Sequence, residues 1–104
     1  MASMQRSTGT GTTPRPGLPV ALGQTVATPG ALAALSGADI QSALRRHRHG
    51  DWGDCCPEDA EENNRSAAEG FRLLSVYHTE TGLKFWVITE ADRSVTTVLL
   101  PEEY

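Results

Sequence analysis

Residues 71–104, FRLLSVYHTETGLKFWVITEADRSVTTVLLPEEY, contain three runs rich in β-branched and aromatic residues, separated by turn residues. The first two runs, 71–79 and 83–90, flank Glu80-Thr81-Gly82. A three-residue hairpin loop favours glycine at its last position, where the backbone is left-handed. A second turn at 91–94 returns the chain as a third run, 95–100. The pattern predicts a three-stranded antiparallel β-meander.

The two turns also predict the register of the strands. In the first hairpin Arg72 lies opposite Glu90, an attractive cross-strand pair, and Val76 lies opposite Trp86. In the second hairpin Leu99 lies opposite Trp86. This register gives the sheet two apolar faces, one with Leu74, Val76, Trp86, Ile88 and Leu99, and the other with Leu73, Tyr77, Phe85, Val87, Val98 and Leu100.

Both faces of such a sheet need a cover, because each apolar side chain left in water forgoes roughly 1.5–3 kcal/mol. The preceding sequence predicts two to three short helices. Thr28-Pro29 and Ser36 are typical helix starts, and Pro57 opens an acidic, alanine-lined third helix. The first two helices suffice for one face, and the third covers the other only in part. We therefore predict a homodimer or a protein partner on the second face.

The sequence thus predicts an α+β fold in which two to three short helices precede a three-stranded antiparallel β-meander. Residues 20–27 form a candidate additional N-terminal strand, weakened by Gly23. Residues 1–19 are rich in Ser, Thr, Gly and Pro and are predicted to be a disordered tail. Residues 20–104 are predicted to form a single domain.

Charge is distributed unevenly along the chain, whose net charge is −4. Residues 1–50 carry five Arg and one acidic residue, whereas residues 51–104 carry four basic and twelve acidic residues. A net acidic domain disfavours general nucleic-acid binding. The chain contains no secretory signal pattern and no apolar run of membrane-spanning length, and its two adjacent cysteines do not form a disulfide framework. A reduced, cytoplasmic setting without membrane or cofactor is expected.

The candidate partner-binding residues lie near the middle of the chain and at the last turn. A basic cluster is followed by the loop Asp51-Trp52-Gly53-Asp54, and Arg93 occupies the tip of the second hairpin. The alternatives are solvated helix faces for the charges, a core position for the tryptophan and a turn-forming role for Arg93. The candidate binding residues are Arg45, Arg46, Arg48, Asp51, Trp52, Asp54 and Arg93.

The sequence evidence for metal binding or catalysis is weaker than the evidence for partner binding. His47, His49, Cys55 and Cys56 could ligate zinc, but their spacing does not match standard sites, so no metal is predicted. A Cys–His nucleophile with His78 is disfavoured by neighbouring acidic residues. A set formed by Arg72, His78, Lys84 and Arg93 could hold a phosphate and supply acid–base groups for RNA cleavage. A non-enzymatic interpretation is favoured, and no catalytic residue is assigned.

Three segments carry a resemblance to known sequences: LGQTVATPGAL (22–32), HGDWGD (49–54) and the run 70–104, with its strings WVITEADR and LLPEEY. They resemble small uncharacterised bacterial proteins carried on plasmids, integrative elements and prophages. Some of these are labelled as related to type I restriction–modification. The resemblance implies a mobile-element setting, although a chain this short has no room for a methyltransferase domain.

A second likeness is architectural. Helices packed on a small antiparallel sheet with basic residues resemble plasmid toxins of the RelE/ParE type, from which this acidic, lysine-poor chain departs. We therefore expect a non-enzymatic protein-binding accessory protein of mobile genetic elements, acting on restriction or another host defence. The alternative is a RelE/ParE-like ribonuclease toxin.

Overall fold

The computed structural model describes residues 19–104, so the predicted tail lies outside the described residues except for Pro19. This part of the chain confirms the α+β class, with helices and strands in one sheet. The element order is β1 (Gln24–Ala27), α1 (Pro29–Ala34), α2 (Gly37–Arg48), α3 (Pro57–Glu69), β2 (Leu73–His78), β3 (Lys84–Thr89) and β4 (Val95–Leu99), followed by a 3₁₀ turn at Pro101–Glu103. Among residues 19–104, no helix combines the length and apolar content needed to cross a bilayer.

The sheet has the strand order β1-β4-β3-β2. The candidate N-terminal strand exists, but it is shorter than the predicted run 20–27. It pairs in parallel with β4, Val26 lying beside Thr97, so the sheet is mixed and not a purely antiparallel meander. The predicted three-stranded antiparallel meander is thus confirmed in β2, β3 and β4, and the parallel strand β1, which precedes the helices, makes the whole sheet four-stranded and mixed.

The antiparallel register is confirmed residue by residue. Val76 pairs with Trp86, and Trp86 pairs with Leu99. The Arg72 Nε lies 3.8 Å from a Glu90 carboxylate oxygen, as the predicted cross-strand pair requires. Gly82 adopts a φ of 91°, the left-handed conformation that the three-residue loop demands.

The helix starts also follow the sequence signals. The Thr28 hydroxyl accepts the Ala31 N–H at the start of α1, where Pro29 occupies the first position. Ser36 and Asp39 form a reciprocal capping box at the start of α2. These caps fix two short helices directly after β1, which places them over the same side of the sheet.

Helices α1 and α2 cover one face of the sheet, which we call the helix-covered face. Ala31, Leu35 and Ala43 from the helices pack against Tyr77, Phe85, Val87, Val98 and Leu100 from the strands, with Ile40 and Leu44 at the margin. Leu73 is fully buried on the same face. The predicted cover for this face is therefore present within one chain.

The opposite face, which we call the open face, has no comparable helix cover among residues 19–104. Leu74, Val76 and Trp86 are only half-buried there, although Ile88 and Leu99 at its centre are buried. Helix α3 packs along β2 at the side of the sheet. The chain thus covers one apolar face with helices and leaves the other partly accessible.

The outer edge of β2 is closed by the chain itself. The Val76 N–H donates to the Trp52 carbonyl at 3.1 Å, and the Asp54 N–H donates to the Val76 carbonyl at 2.7 Å. Residues 52–54 therefore pair with β2 like a fragment of a fifth strand. Farther along, the Asn63 amide donates to the Leu74 carbonyl at 2.7 Å and accepts the Leu74 N–H at 3.2 Å. One side chain thereby replaces a strand neighbour.

Replacing Asn63 with alanine should destabilise the fold by about 2 kcal/mol, because it leaves two backbone groups of Leu74 without partners. In a domain of this size this corresponds to a fall in melting temperature of roughly 10 °C. The measurement is thermal and urea unfolding followed by circular dichroism. Glu61→Ala, an exposed position on the same helix, is the control and should change stability little. A loss below about 0.5 kcal/mol for Asn63→Ala, which is the lower end of the range for a single hydrogen bond, would contradict the edge-closing role.

Candidate protein-binding surface

The loop at residues 51–54 is tied to α2 and β2. Asp51 accepts two hydrogen bonds from the Arg46 guanidinium, at 2.8 and 3.2 Å, and a third from the Gly53 N–H. The Arg46 guanidinium lies 4.7 Å from the centre of the Tyr77 ring, and the Tyr77 hydroxyl donates to the Asp51 carbonyl at 2.6 Å. The hydrogen bond from Arg46 holds the pKa of the Asp51 carboxyl below its usual value. Arg46 and Asp51 therefore fix the loop on the domain.

Trp52 occupies a core position, with 6% of its surface exposed. Its indole N–H donates to the Asn64 side-chain oxygen at 2.9 Å, and its ring packs edge-on against His47. Gly53 follows with a φ of 76°, and a Cβ there would overlap the Val76 carbonyl. The structure thus matches the core alternative for Trp52, and a contact with a partner would require the loop to move.

Two further candidates have partners within the chain. The Asp54 carboxylate lies 2.7 Å from His78 Nδ1. The Arg93 guanidinium donates to the carbonyls of Ser66 and Phe71, at 3.1 and 2.7 Å, and so connects the last turn to the end of α3. Arg93 itself adopts a φ of 62°, which places its backbone in the left-handed region. Its structural contacts match the turn-forming alternative.

Arg45 and Arg48 are exposed at the C-terminal end of α2. Within residues 19–104 neither forms an ion pair, unlike Arg46. A basic residue in this position is favoured by the helix dipole. Of the seven candidates, these two remain most available to a partner, although they lie on the helical side of the domain and not on the open face.

His47, for which the sequence predicted no role in the core, is completely buried. Its Nδ1 lies 2.6 Å from the Ser75 hydroxyl, and its Nε2 lies 2.9 Å from the Thr89 hydroxyl. The sequence spacing does indicate that His47 is buried, because it follows Ala43 by four residues and Leu44 by three and so lies on the inner face of α2. His47 is therefore a polar core residue.

The hydrogen-bond chain fixes the proton positions on His47. The Thr96 hydroxyl donates to the Leu22 carbonyl at 2.7 Å, so Thr89 donates to Thr96. Thr89 must then accept from His47 Nε2, which leaves Nδ1 to accept from Ser75. Each of the three hydroxyls donates one hydrogen bond, and on the His47 ring Nε2 donates while Nδ1 accepts. Protonation of His47 would break this pattern.

The cysteines occupy positions of different exposure. Cys55 is half-buried, and its thiol lies 3.3 Å from the Trp52 carbonyl, whereas Cys56 is exposed at the start of α3. Burial raises the pKa of the Cys55 thiol, which disfavours a nucleophilic thiolate. Among the described residues no group of three or more His, Cys, Asp or Glu side chains is arranged to hold a metal ion.

The residues of the ribonuclease alternative do not converge. Arg72 precedes β2, whereas His78 ends it beside Lys84, so a strand of six residues separates the two groups. At about 3.3 Å per residue the separation is roughly 20 Å, too long for one phosphate to bridge. Arg93 is engaged by backbone carbonyls.

The open face carries an aromatic cluster formed by Trp86, Tyr104 and Arg72. The rings of Trp86 and Tyr104 meet edge to face with centroids 5.5 Å apart. The Arg72 guanidinium lies 5.3 Å from the Tyr104 ring centre and donates to its hydroxyl at 2.7 Å. Tyr104 nevertheless remains 66% exposed. The geometry therefore presents a half-buried aliphatic row beside an exposed, oriented aromatic ring.

The 3₁₀ turn that carries Tyr104 is fixed to the start of α1. The Glu103 carboxylate accepts hydrogen bonds from the Thr28 hydroxyl, from the Gly30 N–H at 2.9 Å and from the Leu100 N–H at 3.0 Å. The hydrogen bond from Thr28 lowers the pKa of the Glu103 carboxyl. Glu103 thus links the end of β4 to the first helix and holds Tyr104 over Trp86.

We predict that His47 makes folding stability depend on pH. Burial, with a smaller effect of Arg93, lowers the pKa of His47 from 6.5 to about 4. The unfolded chain therefore binds the proton first, so stability is complete above pH 6.5 and falls as pH decreases towards 4. The full loss is roughly 3 kcal/mol, of which about 2 kcal/mol is reached by pH 5.

Urea unfolding at pH 7.5, 6 and 5, together with NMR titration of the histidine rings, checks this prediction. His49→Gln is the control, because His49 is exposed, and it should retain the profile. In the folded protein the His47 ring should remain in the neutral Nε2–H form at pH 5. An NMR midpoint near 6.5 for His47 would contradict the closed hydrogen-bond chain.

Comparison with known proteins found no family model, no curated protein and no solved structure that matches the chain. The resemblance to mobile-element proteins carried by HGDWGD, WVITEADR and LLPEEY therefore stays a prediction. The structure adds a physical interpretation of these strings. HGDWGD supplies the segment that closes the edge of β2, and LLPEEY supplies the Glu103 link and Tyr104.

Proposed function

We propose that the chain is a non-enzymatic, cytoplasmic protein-binding accessory of mobile genetic elements that acts on restriction or another host-defence system. The observation that carries the proposal is the open face, where Leu74, Val76 and Trp86 are half-buried beside the exposed Tyr104 ring. Apolar and aromatic centres with polar rims are typical of protein interfaces, and Trp and Tyr are enriched at their energetic hot spots.

The apolar area of the open face that remains accessible can contribute free energy to binding a partner. Each additional 100 Å² of apolar area covered by a partner would contribute about 2.5 kcal/mol before the costs of association. The Tyr104 ring is already held by Arg72 and by its edge-to-face contact with Trp86, so little side-chain freedom is lost on binding. A preorganised apolar surface of this kind favours a protein partner.

The use of the polar groups supports binding over catalysis. His47, Arg46, Asp51 and Arg93 each satisfy neighbouring groups of the fold. The shallow groove between α3 and β2 contains Cys55 and Arg72, but the Cys55 thiol has a raised pKa and Arg72 is engaged by Tyr104 and Glu90. These groups serve the structure and do not form a reactive set.

The charges around the open face indicate the chemistry of the partner. Lys84 and His78 lie at one end of the β2–β3 hairpin, and Arg72 lies at the other. Lys84 is exposed and has no ion pair among residues 19–104. His78 and Arg72 are already paired with Asp54 and Glu90, so the complementary surface is an apolar segment with a carboxylate at the Lys84 end. Arg45 and Arg48, exposed on α2, would attract the same acidic partner from a second side.

The mobile-element setting rests on the resemblance of residues 20–104 to plasmid, prophage and integrative-element proteins. Restriction enzymes are a class of host protein that such elements encounter. Some similar proteins are labelled as related to type I restriction–modification, which makes a type I restriction enzyme the first partner to test. The open face would bind this enzyme directly, without chemistry on DNA.

The test measures DNA cleavage by a purified type I restriction enzyme with and without the chain. We expect the chain to inhibit cleavage and to shift the emission of Trp86, since Trp52 is already buried. Val76→Lys, which adds a charge to the open face, should weaken both effects at least ten-fold, or about 1.4 kcal/mol. Ala67→Lys, at an exposed position on α3, is the matched control.

Three outcomes would contradict the proposal. Inhibition that is unchanged by Val76→Lys, with circular dichroism showing an intact fold, would exclude the open face as the binding surface. Growth arrest on induction of the chain that is relieved by His78→Ala or Lys84→Ala would instead support the ribonuclease alternative. Absence of any effect on the enzyme would remove restriction as the target.

A further inference from the structure

The outer edge of β1 is the second border of the sheet. The Gln24 N–H donates to the Ser94 carbonyl at 3.0 Å, and the Thr28 N–H donates to the Val98 carbonyl at 3.0 Å. Because backbone groups alternate in direction along a strand, the N–H and C=O groups of Thr25 and Ala27 point away from β4. No hydrogen bond between described residues reaches these four groups.

The two edges of the sheet differ in whether their backbone groups are paired and protected. The edge of β2 is closed by residues 52–54 and by the Asn63 amide. Natural sheets protect exposed edges with charged side chains, proline or bulges. Strand β1, with the sequence QTVA, carries none of these, and within residues 19–104 it is protected by no more than its length of four residues.

The segment that contains this edge is uncharged. Residues 19–38 contain no charged side chain, although charged residues make up 21% of the chain. Val26 on β1 is 40% exposed, and Leu32 on the following helix α1 is 62% exposed. Protein surfaces normally carry interspersed charges, and their depletion is a compositional mark of interface centres. The two observations, unpaired backbone and missing charge, coincide at one border of the domain.

We infer that the β1 edge binds a second copy of this chain, whose own β1 adds antiparallel across a two-fold axis. A symmetric pair places each edge against itself, so any charge on β1 would meet a like charge, and QTVA has none.

The resulting dimer contains one continuous sheet of eight strands in which the two β1 strands meet at the centre. The N–H and C=O groups of Thr25 and Ala27 supply the new hydrogen bonds. Val26 lies on the open face in register with Thr97, so the apolar row of one copy continues into the other. This interface uses the edge of the sheet and is independent of the partner proposed for the open face.

Amide hydrogen exchange combined with sedimentation tests the inference on the full chain. We expect a reversible monomer–dimer equilibrium, in which the average molar mass rises as the protein concentration increases from about 1 to 500 μM. This range covers weak and moderate affinities. The Thr25 and Ala27 amides should become protected as concentration rises. The Val26 amide, which faces β4, should be protected at every concentration.

Two variants give independent readouts. Val26→Lys places like charges together across the axis and should shift the dimer midpoint at least ten-fold. Thr25→Pro removes an outward N–H that no described residue uses, a substitution that edge strands tolerate. Ala67→Lys serves as the matched control.

The inference is overturned if the wild-type chain remains monomeric at 500 μM. It is also overturned if a dimer forms that Val26→Lys leaves intact and Val76→Lys abolishes, because that dimer would use the open face. Equal exchange of the Thr25 amide at low and high concentration would contradict edge pairing as well.

Discussion

The packing of α1 and α2 on a single face of the sheet is the constraint on which the other features depend. Both helices follow β1 through tight caps at Thr28 and Ser36, so they remain on the side where Leu35 and Ala43 meet Val87 and the other strand residues. Helix α3 is used at the edge of β2. Leu74, Val76 and Trp86 are consequently left half-buried, and the accessibility of this apolar face is a direct result of how few helices the chain has.

Because residues 19–104 form few helices and strands, single side chains also hold the parts of the fold together. These side chains form hydrogen bonds to segments that no additional strand or helix contacts. Asn63 replaces a strand neighbour, Glu103 fixes the last turn to α1, and Arg93 connects the β3–β4 turn to the end of α3. His47 joins α2 to three strands through hydroxyl groups and a carbonyl. Each of these contacts links segments that are distant in the sequence.

The parts of the fold that were predictable from sequence are those fixed by local interactions. Gly82 set the hairpin register, and the caps set the helix starts. The parallel pairing of β1 with β4 joins Val26 to Thr97 across most of the domain, and no local pattern signals such a pair. The pairing of Gly53 with Val76 was missed for the same reason, whereas the burial of Trp52 matches the core position that was one of its two interpretations. His47 was overlooked because a histidine near a helix end was interpreted by residue type and not by its position on the apolar stripe.

The central claim is that one apolar face of the sheet is covered by the chain's own helices while the other stays accessible. Methyl NMR with a soluble paramagnetic agent tests it most directly, because line broadening reports how closely solvent approaches each methyl group. We predict strong broadening for the methyl groups of Val26, Leu74 and Val76, and weak broadening for those of Leu73, Val87 and Val98. Equal protection of both groups in the isolated monomer would contradict the account.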